Sequence, residues 1–442
     1  MSELVQENTR ITHTSLTREQ KEAIGLLSIG TFLEYFDLML YVHMAVLLNE
    51  LFFEPTDPKT ASLMTAFAFC STYILRPVGA LIFGWIGDNI GRKATVIITT
   101  FLMSFSCLIM ANLPTYAQIG ITASYVITIC RILQGMSSMG EVVGAELYLT
   151  ELIKPPMQYP VVAFLAIAIS IGTTAALGVA TFTMSIGLNW RGAFWIGAGI
   201  AVVGAVARTT LRETPEFANA KHRVKQNIKL VINTNVFEKT LIWNEKVNIK
   251  TALSNFALIS TWPIWFYTTY VYSSNILKNT FKYTTEQIIS HNLGVSMISM
   301  LNAMLLTYLS YKIHPLKILK IRLIVFAVVI LPCPYLLNNL TNVFELWLFQ
   351  LIVIILGPTG FPAVPILYKH FPVFKRFTYS TVIYALSRAL IYVITSFGFV
   401  YLIEYFSHWG LLVIIIPALT IYYYGRNHFE GLEMSLSNHE IK

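Results

Sequence analysis

Charged side chains are scarce in this sequence: Asp, Glu, Lys and Arg together make up 12% of its 442 residues, about half the roughly 25% that soluble domains carry. So thin a charge density cannot cover a water-facing surface, which excludes two or three soluble domains. Cysteine is nearly absent as well. Cys70, Cys107, Cys130 and Cys333 all fall inside apolar stretches, which leaves small buried hydrophobes and no disulfide framework or metal spacing. Neither an H-E-x-x-H helix nor a G-x-S-x-G elbow occurs, so an enzyme embedded in the membrane would lack its machinery. No cofactor and no metal are expected. The opening segment is polar for over twenty residues, so no cleavable signal peptide precedes the first apolar run, and the first span is expected to act as its own insertion signal.

What the sequence has in abundance is apolar surface in long blocks, with 55% hydrophobic residues and a mean hydropathy of +0.61. A helix needs about 20 such residues to cross a bilayer. Twelve segments qualify, near 24–50, 61–86, 95–111, 119–148, 160–185, 191–210, 252–276, 288–311, 321–337, 343–367, 378–402 and 410–424. The ninth is interrupted by Pro332 and Pro334, and the twelfth is short. The expected fold is all-α: a polytopic membrane protein of twelve transmembrane helices in two six-helix bundles. Its divisions are an N-tail (1–23), a first bundle (24–210), a polar linker (211–250), a second bundle (251–424) and a C-tail (425–442).

The formal charge of +8 would suggest nucleic acid in a soluble protein. Placing both termini inside puts about 24 of the 31 basic residues in cytoplasmic segments, as the positive-inside rule requires. The surplus is therefore an orientation signal, and no nucleic-acid partner is implied. A lipid bilayer, a small-molecule solute and a proton are the expected partners of a monomer.

An ionised side chain at mid-bilayer costs at least about 2.5–3.5 kcal/mol, so such residues face the bundle interior, pair, and mark a transport path. Glu34, Asp37, Glu141, Glu146, Arg76, Arg131 and Arg388 are the candidates. Glu34 and Asp37 lie three apart on one helix face. Close carboxylates raise one another's proton affinity, which suits proton coupling, although a structural ion pair between the first and fourth helices fits equally. Arg131, which stays charged, would lower a carboxylate's pKa, grip an anion, or pair with Glu141. Arg388 lies deep in the eleventh span, where it would meet a substrate carboxylate, whereas Arg76 is near enough to a helix end to snorkel. Aromatics of the seventh span, Trp265 among them, are packing or belt residues, or form a cage for a quaternary ammonium solute.

Several motifs converge on one family. Gly84-Trp85-Ile86-Gly87-Asp88-Asn89-Ile90-Gly91-Arg92-Lys93 resembles the G-x-x-x-D-x-x-G-R-[RK] loop of the major facilitator superfamily. Glu34-Tyr35-Phe36-Asp37, Arg76-Pro77-Val78-Gly79, Arg131 to Gly135 with Gly140-Glu141, Asn189-Trp190-Arg191 with Phe194, and Leu211 to Phe217 are similar to motifs of its metabolite:proton symporters, the proline/betaine branch in particular. The second half departs: Ser310 to Pro315 has lost the acid and glycine of the repeated loop, while Phe371-Pro372 with Lys375-Arg376-Phe377-Thr378 still resembles the start of the eleventh span.

The resemblance implies a proton-coupled secondary transporter in a bacterial inner membrane, carrying a zwitterionic osmolyte such as proline or betaine. A carboxylate of the 2-oxoglutarate, citrate or shikimate type is the alternative, and a uniporter or transport-dead sensor a further one. Proton coupling would fall to Glu34, Asp37, Arg131 and Glu141, and substrate binding to Arg388, Arg76 and Trp265. The resemblance also implies a cytoplasmic gate built from Gly84, Asp88, Gly91, Arg92 and Lys93, with Glu151 supplying the acid at the end of the fourth helix.

Overall fold

A computed structural model describes residues 16–53, 73–185, 191–209 and 246–440. Cys70, Asn189, Trp190, the linker motif Leu211 to Phe217 and most of the N-tail lie outside these, as do the side chains of Asp37 and Glu141. Among the described residues the chain is helical and has no strand.

The first half comprises α1 (Arg18–Phe52), α2 (Arg76–Asn89), α3 (Arg92–Asn112), α4 (Ile121–Leu152), α5 (Gln158–Ser185) and α6 (Arg191–Arg208). In the second half α7 is assembled from Ile249–Ile259, Thr261–Phe266, a π-helical Tyr267–Tyr272 and Ser273–Asn279. It is followed by α8 (Thr285–Lys312), α9 (Pro315–Val329, then Cys333–Asn338), α10 (Val343–Leu356, then Val364–Lys369), α11 (Val373–Phe406) and α12 (Gly410–Glu440). Among the described residues six stretches are long and apolar enough to cross a membrane, and one of them, Val373–Leu436, contains α11 and most of α12.

The outer surface carries exposed Phe101, Phe105, Ile129, Phe182, Val328 and Tyr405. Such a surface would be costly in water and suits lipid. Polar residues inside the spans are absorbed locally. Along α3 the hydroxyls of Thr95, Thr99, Thr100 and Ser104 donate back to carbonyls of the preceding turn at 2.7–3.1 Å, and Thr173, Thr174 and Thr181 do the same on α5.

The halves meet along two lines, α2 against α11 and α5 against α8. On the second line Thr174 and Ser296 share a 2.7 Å hydrogen bond and Thr307 donates to the carbonyl of Ala163 at 3.2 Å. Loops joining α2–α3, α4–α5, α8–α9 and α10–α11 gather at one end with Lys154, Lys312, Lys317 and Lys375, hereafter the basic end. At the other end Arg191 of the W-R-x-x-F motif donates to the Leu113 carbonyl at 2.7 Å, fastening α6 to α3.

Two helix ends bear on the expectations. The segment expected as a C-tail from 425 continues α12 as helix to Glu440. The glycines and prolines of the tenth span suggest a helix that bends or breaks, and the structure interrupts it between Leu356 and Val364, where Gly357, Pro358, Pro362 and Pro365 cannot sustain the helical ladder.

A break at membrane depth leaves carbonyls that water cannot satisfy, so protein donors must do it. Arg322 of α9 donates to the carbonyls of Gly357 at 2.6 Å and Ile355 at 3.2 Å, Trp265 Nε1 of α7 to Pro358 at 2.7 Å, and Tyr422 of α12 to Thr359 at 2.7 Å. Arg322→Met removes two of these donors at once. It should lower stability by about 2–3 kcal/mol, against about 1 kcal/mol for Tyr422→Phe. Thermal unfolding in detergent measures both, and equal midpoints for Arg322→Met and the parent would refute the role given to Arg322.

Candidate functional site

The site has two parts on one axis. A latch closes the basic end, and a cavity lies between the halves beyond it.

The latch is built on the α2–α3 turn. Gly91, with φ of 148°, reverses the chain where an L side chain would be strained, and so directs Arg92 inward. Arg92 is fully buried. It donates to Asp88 at 3.2 Å, to both oxygens of Glu151 at 3.1 and 3.3 Å, and to the Val373 carbonyl of α11 at 2.8 Å. Asp88 in turn accepts the backbone N–H groups of Phe377 at 3.1 Å and Thr378 at 2.8 Å, near the start of α11, where an anion is favoured. Arg376 of α11 completes the cluster by donating to Glu151 at 3.3 Å.

The glycines explain how the helices come so close. A Cβ on Gly84 would stand 2.8 Å from Thr378 Cα, and one on Gly87 would stand 2.6 Å from the Phe377 ring. The structure brings Asp88, Arg92 and Glu151 together, while Lys93 takes part in no ion pair among the described residues. Arg376 was read only as part of a motif and counted among loop cations. The Glu433 carboxylate of the α12 extension binds Lys369 and His370 at 2.8 Å each, so the second half ties its basic end by a contact unlike the loop motif it lost.

The cavity is small and open on one side. Both halves line it: Tyr35, Tyr73, Arg76, Ser170 and Thr173 from the first, and Trp262, Phe266, Tyr270, Ser296, Arg388 and Tyr392 from the second. No carboxylate is among its lining residues as far as the described residues go.

Arg76 (3% exposed) stacks on Tyr73 at 4.4 Å, and its Nε and Nη2 have no hydrogen-bond partner among the described residues. Arg388 (7% exposed) stacks on Tyr384 at 4.2 Å and donates to the Ile259 carbonyl at 2.9 Å, where α7 is interrupted. Neither guanidinium lies within ion-pair distance of a carboxylate among the described residues. Their aromatic platforms touch across the interface: Tyr73 packs on Tyr392 at 4.4 Å, and Tyr35 and Tyr384 share a 3.3 Å hydrogen bond.

Other expectations resolve differently. Trp265 does not line the cavity. Its indole is spent on the α10 break and packs against Phe326 at 4.8 Å, because an unsatisfied carbonyl there needs a donor, and Trp262 and Phe266 take the cavity face instead. Arg131 is buried behind the lining, donating to Gln134 at 2.9 Å. Glu34 is buried at 2% exposure beside Tyr35. The side chains of Asp37 and Glu141 lie outside the described residues.

These features define a helical membrane protein of two halves, joined at one end by a buried charge cluster, with a small cavity between them. The chain belongs to the Major Facilitator Superfamily, whose family model matches residues 27–396. It is similar to the inner membrane metabolite transport protein YhjE of Escherichia coli K12 (30% identity over 269 residues, 59% of each chain). It also resembles the proline/betaine transporter of Salmonella typhimurium (30% over 213 residues, 47% of this chain and 43% of that one), and a putative proline/betaine transporter of Staphylococcus aureus COL (32% over 210 residues, 46% and 45%). The chain thus spans about half the length of the curated relatives it matches. Among solved structures, the proton:xylose symporter XylE bound to 6-bromo-6-deoxy-D-glucose superposes with a TM-score of 0.73 at 16% identity, covering 91% of this chain and 95% of that one. At that identity the likeness is one of fold.

Arg376→Gln should loosen the latch by about 1.5 kcal/mol, the low end of the roughly 1.5–3 kcal/mol that a hydrogen bond to a charged group contributes. We expect a cysteine placed at Ser170 to react roughly tenfold faster with a maleimide supplied from the basic end. An unchanged rate would remove Arg376 from the latch.

Proposed function

We propose that the protein is a secondary active transporter that carries a small carboxylate-bearing solute by alternating access, with protons as the coupling ion. The basic end faces the cytoplasm, and the membrane is a bacterial inner membrane. The observation that carries the solute class is the pair of buried arginines, Arg76 and Arg388, turned to the cavity from opposite halves with no carboxylate within ion-pair distance among the described residues. Buried guanidinium groups are costly in a low-dielectric site, and a bound anion offsets that cost. Because one arginine belongs to each half, a bound carboxylate also draws the halves together.

A zwitterion is the second reading. The names of the similar proline/betaine transporters and the aromatic rings of Trp262, Phe266 and Tyr270 on the cavity wall favour it, through cation–π contact with an ammonium group. Repulsion between that ammonium and two arginines weighs against it. Proton coupling is supported by the buried Glu34 beside the cavity-lining Tyr35 and by the basic-end latch, whose acids and bases must part and re-form once per cycle.

Proteoliposomes under an inward proton gradient provide the test. Labelled 2-oxoglutarate should accumulate, a protonophore should abolish the accumulation, and Arg388→Gln and Arg76→Gln should each raise KM by roughly 10- to 100-fold, the loss of a charged hydrogen bond. Accumulation of betaine with none of 2-oxoglutarate would replace the first reading by the second.

A further inference from the structure

The hydroxyl groups of the cavity wall have a polarity of their own. The halves meet along two lines, and the cavity draws on both. From the α2–α11 line come Arg76 and Arg388, whose guanidinium groups can only donate. Arg76 keeps Nε and Nη2 without a hydrogen-bond partner among the described residues. From the α5–α8 line come Ser170 and Thr173 of α5 with Ser296 and Ser299 of α8.

A hydroxyl has one hydrogen to give and two lone pairs with which to accept. Ser170 donates to the Ala166 carbonyl at 2.9 Å, and Thr173 to that of Ile169 at 3.0 Å, so both hydrogens are spent on the helix itself. Thr174 donates to the Ser170 carbonyl at 2.8 Å, so in its 2.7 Å hydrogen bond with Ser296 the hydrogen comes from Ser296. Three hydroxyls of the wall thus turn their hydrogens into the protein and offer lone pairs to the cavity. The hydroxyls of Ser299 and Tyr270, which also line it, can rotate to give or to accept and do not cancel that excess of acceptors.

One solute must answer both lines. A carboxylate answers the arginines. Against Ser170, Thr173 and Ser296, a keto oxygen or a second carboxylate would set lone pairs against lone pairs. A trimethylammonium group would displace their water and return no hydrogen bond, which costs binding. An O–H or N–H group satisfies them. We propose that the site selects a carboxylate that also carries an O–H or N–H donor, and that Ser170, Thr173 and Ser296 are the residues that select it. The proposal rests on the carboxylate-bearing solute put forward above and narrows it: a hydroxy acid outranks the matching keto acid, and a zwitterion with an N–H outranks one without.

Two matched pairs test this by titration calorimetry on the full chain in detergent. The first sets 2-hydroxyglutarate and 3-hydroxyglutarate against 2-oxoglutarate, and the second sets N,N-dimethylglycine, which has one N–H, against betaine, which has none. In the pair that binds, the donor-bearing member should have a Kd roughly tenfold lower, the effect of one hydrogen bond. The double variant Ser170→Ala, Thr173→Val keeps the shape of the wall and removes two acceptors, so it should reduce that ratio at least about threefold. Equal affinities within the pair that binds overturn the proposal, as does a tenfold preference that survives in the double variant. Should the double variant fail to fold, an unchanged ratio in Ser170→Ala overturns it. Binding confined to the second pair, with the N–H preference present, would replace the first reading of the solute by the zwitterion and leave the proposal standing. Binding of none of the five compounds overturns both. A donor preference without accumulation of any of them in proteoliposomes would overturn the transport reading alone.

Discussion

The closed state depends on a buried charge cluster in which two acids of the first half, Asp88 and Glu151, are shared between its own Arg92 and the second half's α11. Taking such groups out of water costs several kcal/mol per ion, which only complete pairing can offset. Here the pairing is complete only when the halves are together, because Arg376, the Val373 carbonyl and the amides of Phe377 and Thr378 are contributed from across the interface. The cluster therefore opposes any partial opening: separating the helices by an ångström or two would forfeit hydrogen bonds before water could enter to replace them.

The same reasoning orders the rest of the molecule. Many polar groups at membrane depth fold back on their own helix, as the α3 hydroxyls do, or are held by a named partner, as at the α10 break. Others, Asn255 and Ser380 among them, have no hydrogen-bond partner among the described residues. Arg76 is the one of these that is charged, lines the cavity and sits on a tyrosine face.

Much of this was legible in the sequence. The scarcity of charge gave the membrane, the spacing of apolar blocks gave the helices, and the loop motif joined Asp88, Arg92 and Glu151. The arginines at helix starts were not legible as structure. Arg322 and Arg376 lie close enough to basic loops that composition assigns them to the orientation signal, and only the fold turns them inward. A signal for Arg322 was present nonetheless: it falls in the stripe Pro315, Leu319, Arg322 and Phe326, all buried, so its spacing marked it as facing the bundle. Trp265 and Trp262 could not be told apart because both lie within one short aromatic run, and an interrupted α7 does not present its faces at the regular 3.6-residue period. The length of α12 was missed for another reason. Polarity beyond residue 424 ends a membrane span, but it does not end a helix.

The broken α10 bears on the order of biosynthesis. Its carbonyls draw on donors from helices made at different times: Trp265 and Arg322 precede the break in the chain, whereas Tyr422 follows it by two helices. When α10 first enters the bilayer, the Pro358, Gly357 and Ile355 carbonyls can be met at once, but that of Thr359 must wait for α12. The second half is thus left with an unpaired membrane-depth carbonyl until its last helix arrives, and synthesis of α12 is the step that completes the tenth.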